Sequence, residues 1–222
     1  MTEIDEDDQT EVQSEPKEPG LIERTMRALE ITQGVEIARR YLAMNAFDGA
    51  LTMLGLILGG LVSMAALGPE TVFQTTLLAA VGTSLAMAIS GFSGSYLTES
   101  AERDREVEEI GKAMLSDMSH SMYAKATRVT SVVVALVDGL APSVAAFIVV
   151  IPLLLVPFGI LGYYMAFYTA IGICMTLLFS LGLFLGSVSG KSIWGYGAKT
   201  LLAGILTAVF MFIISLLTGA EV

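Results

Sequence analysis

Two acidic residues stand in stretches that are otherwise apolar: Asp48, in Phe47-Asp-Gly-Ala-Leu-Thr52, and Asp138, in Val137-Asp-Gly-Leu140. A carboxylate at membrane depth costs roughly 2.5–3.5 kcal/mol or more unless it meets a partner or water, so such a residue is a functional candidate by default. The chemistry open to a pair of intramembrane acids is to ligate a cation or to carry a proton. On a regular helix Asp48, Thr52, Gly55 and Gly59 share one face, and the glycines let another backbone come close to the acid and the hydroxyl. Asp138 lies further along the chain from its flanking base, Arg128, than Asp48 does from Arg40, which places it deeper. Pro142 follows one turn later and frees a backbone carbonyl beside it. The competing reading of Asp138 is a buried, hydrogen-bonded acid that fixes helix packing.

A second group lies in the charged segment 97–128. Glu99, Glu102, Glu106 and Glu109 follow i, i+3, i+7, i+10 spacing and share a helical face. Projected at about 100° per residue, Asp117 and His120 join them. Carboxylates with an imidazole suit borderline-to-hard divalent ions such as Mn²⁺ or Fe²⁺. On one straight helix about 31 Å would separate Glu99 from His120, at roughly 1.5 Å per residue. Gathering them needs a bend, for which Gly111 is the candidate. Arg103, Arg105 and Lys112 are interleaved, which is also the pattern of an ordinary solvated face. Met87, on the face that continues to Gly91, Ser95 and Thr98, offers a soft thioether ligand, although a buried methionine equally fills a gap. Gly182, Gly186 and Gly190 make two small-xxx-small steps and read as a helix-docking surface.

These residues must be positioned by membrane helices. The 222-residue chain is 54% hydrophobic with a mean hydropathy of +0.71, which excludes an ordinary soluble domain. Five apolar runs, at about 46–67, 71–96, 129–155, 160–188 and 195–218, each approach the ~20 residues a spanning helix needs. The fold class expected is therefore an all-α integral membrane protein with five transmembrane helices. Ahead of them, 1–20 is an acidic tail with eight acids and one base, Lys17, expected to be disordered. Residues 21–43 read as an amphipathic interfacial segment with a break near Gly34, its stripes being Ile22, Met26, Leu29 and then Ile31, Val35, Ala38, Leu42. The membrane domain is then 44–218, with 97–128 as a cytoplasmic helical insert.

All twelve Lys and Arg residues precede the first run, lie between the second and third, or flank the junction of the fourth and fifth. The positive-inside rule then puts the N-terminus in the cytoplasm and the C-terminus outside. The two Asp-Gly helices, each followed by a returning helix with a small-residue inner end (Ser90–Tyr96, Gly186–Gly190), suggest a parallel two-helix repeat plus one helix. Transporters often bind substrate at such repeat interfaces. No phosphate-binding loop or H-E-x-x-H is present, so neither an enzyme nor an ATP-driven pump is expected. Transport would be secondary, driven most simply by protons. A nucleic-acid partner is not suggested by a net charge of −10, and the lone Cys174 cannot form an intrachain disulfide. No cleavable signal is expected, since the first 20 residues are polar and acidic rather than basic then apolar.

Several stretches resemble the vacuolar iron transporter family of iron and manganese transporters. Phe47-Asp-Gly-Ala-Leu-Thr52 looks like that family's opening Asp-Gly helix. Ser90-Gly-Phe-Ser-Gly-Ser-Tyr-Leu-Thr-Glu-Ser-Ala-Glu-Arg-Asp104 is similar to its second-helix end, and Gly197–Ala208 to its terminal span. The resemblance covers roughly 45–218. It implies export of Fe²⁺ or Mn²⁺ from the cytosol against protons, by a homodimer whose pathway lies between subunits. Asp48 would match the first-helix ligand, and Glu102 and Glu106 would open the glutamate-rich metal-binding helices. The departures are Ser95 where family members usually carry an acid, a shortened cytoplasmic segment, and the added Asp138-Gly139. The metal set implied by residues and resemblance together is Asp48, Met87, Glu99, Glu102, Glu106, Glu109, His120 and Asp138. Metal would be the substrate, with no resident cofactor expected, and the compact size suggests a prokaryotic cell membrane as the setting. The alternatives are transport of another cation, or a non-transporting membrane scaffold.

Overall fold

The computed structural model describes residues 20–218, so the acidic tail lies outside the described residues apart from Gly20. They form six helices and no strand: α1 (Leu21–Ile31), α2 (Gly34–Leu67), α3 (Pro69–Met114), α4 (Met122–Leu154), α5 (Tyr163–Val188) and α6 (Ile193–Thr218). Five of these, α2 to α6, are long and apolar enough to cross a membrane. That bears out the number of spans.

The break between α1 and α2 falls at Thr32 and Gln33, where Gln33 is left-handed at φ 55°. Gly34 is needed next to it for space. A Cβ there would stand 2.6 Å from Leu29 Cδ2 and 2.7 Å from Thr130 Cγ2. Thr32 and Thr130 share a buried hydroxyl hydrogen bond of 2.6 Å, which ties α1 to the start of α4. The break expected near Gly34 is present, and everything from Gly34 onward is continuous with the first long apolar helix. Of the first apolar stripe only Leu29 is buried; Ile22 and Met26 stay exposed. With 34 residues, α2 is about 51 Å long, against a hydrocarbon core of about 30 Å, so several turns overhang.

Gly68, at φ 81°, alone separates α2 from α3, and Pro69 opens α3 where its missing N–H costs nothing. The 46 residues of α3 continue past the apolar part into the charged segment. There is no bend at Gly111. The helix runs to Met114 and ends at Leu115, left-handed at φ 50°. Ser116 N donates to Gly111 O at 3.0 Å and Leu115 N to Lys112 O at 3.3 Å, a Schellman closure. Gly111 makes room for the returning chain, since a Cβ there would lie 2.9 Å from Ser116 O. Leu115 has no packing role to offset its backbone strain, being 95% exposed. Leu115→Gly is expected to stabilise the protein by about 0.5–1 kcal/mol, the left-handed penalty less the entropy of glycine. Chemical denaturation of purified protein checks the sign.

Ser121 caps α4, its Oγ accepting from Ala124 N at 3.0 Å. α4 is the central helix, packed against α1, α2, α3 and α5, while α6 leans on α5 and α2. Between helices in lipid there is little hydrophobic drive, and small residues that allow close packing take its place. Accordingly α4 buries Ala135, Gly139, Ser143, Ala145 and Ala146. The larger apolar core, with Met53, Ile57, Val149, Leu153, Phe167 and Leu178, lies in the half of the bundle away from the charged segment. A turn over 155–162 delays α5 to Tyr163, three residues beyond the expected start. Gly182 and Gly186 do form a docking surface, with Cβ positions 2.7 Å from Gly197 Cα and 2.6 Å from Ile193 Cα on α6. Gly190 instead serves the turn, at φ 61° with nothing within 4 Å.

Candidate functional site

Asp138 sits where α2, α3 and α4 meet, and three glycines bring the backbones together there. A Cβ on Gly139 would lie 2.6 Å from Ala88 O and 2.7 Å from Phe92 N of α3. One on Gly91 would lie 2.8 Å from Gly139 Cα, and one on Gly49 of α2 would overlap the Pro142 carbonyl. Into this junction α2 sends Asn45 and α3 sends Ser95. Asn45 Nδ2 donates to Asp138 Oδ1, and Ser95 Oγ donates to Asp138 Oδ2. Pro142 carries no N–H, so the Asp138 carbonyl loses its helical partner as well.

A polar chain leads from this carboxylate toward the charged segment. Asn45 Nδ2 also donates to Tyr41 O at 3.0 Å, and the Tyr41 hydroxyl donates to Glu99 Oε1 at 3.3 Å. Glu99 is buried, 7% exposed, with Arg103 Nε 3.7 Å from its other oxygen. Arg103 Nη1 bonds Glu106 Oε2 at 3.0 Å, and the Tyr123 hydroxyl donates to Glu106 Oε1 at 2.8 Å. Arg103 Nε is itself buried without a hydrogen bond.

The four glutamates share one face as their spacing requires. Glu99, Glu102, Glu106 and Glu109 line a single cavity of about 560 Å³ with Tyr41, Arg40, Arg103 and Arg105. The arginines temper the site: Arg103 serves Glu99 and Glu106, and Arg105 pairs with Glu109 at 2.9 Å. Among the described residues Glu102 forms no salt bridge.

Asp117 and His120 do not join this face. The helix whose projection placed them there has ended, and both are exposed in the turn before α4. Asp117 lines a separate cavity of about 490 Å³ with Glu108, Lys112 and Arg128. The backbone N–H and hydroxyl of Ser119 hold its carboxyl below the usual aspartate range. The interaction is therefore complete above the ordinary aspartate pKa and is lost as pH falls through the depressed value. Among the described residues no three His, Cys, Asp or Glu side chains group closely enough to share a metal ion.

Asp48 is placed differently from Asp138. It is exposed on the outside of α2 and makes no hydrogen bond or ion pair among the described residues. On its face Thr52 is half-buried, Gly55 has nothing within 4 Å of a Cβ, and Gly59 meets only the tip of Met211 at 3.2 Å. Among the described residues no backbone takes up the close approach these glycines allow. Met87 is half-buried on α3, one turn before Gly91. The residues that sequence reasoning missed are Tyr41, Asn45 and the bridging Arg103. Tyr41 and Asn45 stand one turn apart at the entrance of an apolar run, a signal as plain as that of Asp48.

Fold and site together define a multi-pass helical membrane protein with a hydrogen-bonded carboxylate at a three-helix junction. The chain is 28% identical over 197 residues to an uncharacterized protein of Methanocaldococcus jannaschii, covering 87% of this chain and 96% of that one. No protein-family model matches the chain. No solved structure matches it either.

Proposed function

We propose that this protein is a secondary transporter moving a divalent cation, Fe²⁺ or Mn²⁺, out of the cytosol, coupled to protons. The observation that carries this reading is the row of polar groups between the glutamate cavity and Asp138, in which the Tyr41 hydroxyl meets Glu99 and its backbone carbonyl meets Asn45. Polar side chains inside a spanning bundle mark ion routes because they are costly there. In this reading the charged end faces the cytoplasm, as the Lys and Arg distribution argues, and the C-terminus lies outside. The cavity collects cations by its carboxylates, with Glu102 the one not engaged by an arginine.

The resemblance to the vacuolar iron transporter family fits this site in one further respect. Where family members carry an acid at the second-helix end, this chain has Ser95, and Ser95 donates to Asp138. In this reading the carboxylate at that junction is supplied by α4 instead. Asp48, on an open face with small residues, is the group a second copy would cover, and a homodimer with Asp48 at its seam completes the reading. The two Asp-Gly helices then divide the work, one acid inside each protomer and one between them, in a prokaryotic cell membrane. Transport of another cation is the second reading, favoured by the arginines that neutralise much of the glutamate cavity.

The test is uptake of Fe²⁺, Mn²⁺, Ca²⁺ and Na⁺ into proteoliposomes under an imposed pH gradient, for wild type and Asp48→Asn. Transition-metal flux that falls at least tenfold in the variant is the expected result. Flux of Ca²⁺ or Na⁺ alone selects the second reading. No flux of any ion, from folded and inserted protein, overturns both.

A further inference from the structure

A second cavity, of about 740 Å³, opens at the charged end between the first turns of α2 and the junction of α5 with α6. Its lining changes character along the helix axis. Glu36, Arg39 and Arg40 line it on the first turns of α2, Met44 and Phe47 line it further along that helix, and Leu185 and Val188 line it from α5. The step from Glu36 to Phe47 is about 16 Å at 1.5 Å per residue. The polarity therefore runs from charged to apolar across the depth over which a bilayer runs from headgroup to hydrocarbon.

Of the two arginines, Arg39 keeps its charge free of any carboxylate partner among the described residues. Arg39 and Arg40 are exposed, and among the described residues neither forms a salt bridge, although Glu36 is only one turn away. Arg40 has the ring of Tyr41 5.8 Å from its guanidinium carbon and also borders the glutamate cavity. Lys191 and Lys199, both exposed, lie close in sequence to the lining residues Ser189 and Thr200. Among the lining residues two cations, Arg39 and Arg40, stand against one carboxylate, Glu36. Guanidinium forks match phosphate oxygens in pairs, and basic pockets between helices at the membrane surface are suited to acidic lipid headgroups.

We propose that this groove is a binding site for an anionic phospholipid, its phosphate held by Arg39 and Arg40 and one acyl chain laid along Met44, Phe47, Leu185 and Val188. Free phosphate would leave the apolar floor unused. A zwitterionic lipid would leave the rim's excess positive charge unanswered. The occupant would fill the gap between α2 and the α5–α6 pair, and so brace the helix that carries Asn45 and Asp48. The site is independent of which cation the protein carries.

The full chain, purified and stripped of lipid in detergent, is titrated with dioleoyl phosphatidylglycerol, dioleoyl phosphatidylcholine or glycerol 3-phosphate. Native mass spectrometry reads bound lipid, and the thermal midpoint reads stabilisation. Phosphatidylglycerol is expected to bind in preference to phosphatidylcholine and to raise the midpoint. Arg39→Gln should weaken it about fivefold, the effect of one basic residue at the surface. Val188→Trp, which fills the groove, should remove most binding of that lipid. Arg39 is exposed, so its variant folds and decides the matter even if the tryptophan variant does not. Equal binding of the two lipids, unchanged by Arg39→Gln, would mean a non-selective lipid coat and would overturn the proposal. Protection by glycerol 3-phosphate equal to that by phosphatidylglycerol would overturn it in favour of a free phosphate.

Discussion

Asp138→Asn is expected to reduce cation flux in proteoliposomes by about two orders of magnitude. The variant removes the negative charge that would balance the cation, and two orders of magnitude correspond to about 2.8 kcal/mol of that attraction. The substitution keeps the side chain's shape, and Asn45 and Ser95 still have an oxygen to which one of them can donate. Stability should therefore change by only about 1 kcal/mol, the difference between a charged and a neutral hydrogen bond. Asn45→Ala and Ser95→Ala each retain the carboxylate and remove one donor, so their loss of flux should be smaller, about tenfold or less by the same reasoning. A role in packing alone predicts the reverse order, with stability falling and residual flux following the folded fraction. The decisive variant exchanges the partners: Ser95→Asp combined with Asp138→Ser returns a carboxylate to the same junction from α3. Partial recovery of flux in that double variant is expected. A double variant as dead as Asp138→Asn, though equally well folded, would show that the site needs the acid on α4 beside the carbonyl freed by Pro142.

The largest structural effect is expected at Gly139. A leucine there would drive its Cβ to 2.6 Å from Ala88 O and 2.7 Å from Phe92 N, both of them backbone atoms of α3 that cannot rotate away. The helices must separate, and overpacking of this kind costs about 3 kcal/mol. Separation also draws Ser95 off Asp138, so flux should fall with stability. Gly82→Leu, on the same helix as Ala88 and Phe92 but with nothing within 4 Å of its Cβ, is the matched control and should leave the thermal midpoint within a few degrees of wild type. Equal midpoints for the two variants would mean that α3 and α4 are not in backbone contact at this level, and the junction around Asp138 would have to be redrawn.

Much of this architecture is written locally. Five apolar runs determine five spanning helices because each must satisfy its backbone within itself. The glycine and proline at 68 and 69 determine the tight turn, and the break before Gly34 follows from two apolar stripes that no single straight helix can align. The shared face of Glu99, Glu102, Glu106 and Glu109 follows from 3.6-residue periodicity, and the structure gathers them in one cavity. The same periodicity failed at Asp117 and His120. It holds only while the helix lasts, and nothing in the composition around Leu115 announced a left-handed stop at a leucine.

Tertiary structure alone decided how the two intramembrane acids differ. In sequence Asp48-Gly49 and Asp138-Gly139 look alike, and the flanking residues suggest equivalent halves of a repeat. In the fold Gly49 rests on Pro142 while Asp48 points out of the bundle, and Gly139 rests on α3 while Asp138 is bonded from two neighbouring helices. Periodicity determines which residues share a face of one helix. Which face meets which helix depends on where glycines on different segments come into register. That register is a property of pairs of helices, and no single stretch of sequence carries it.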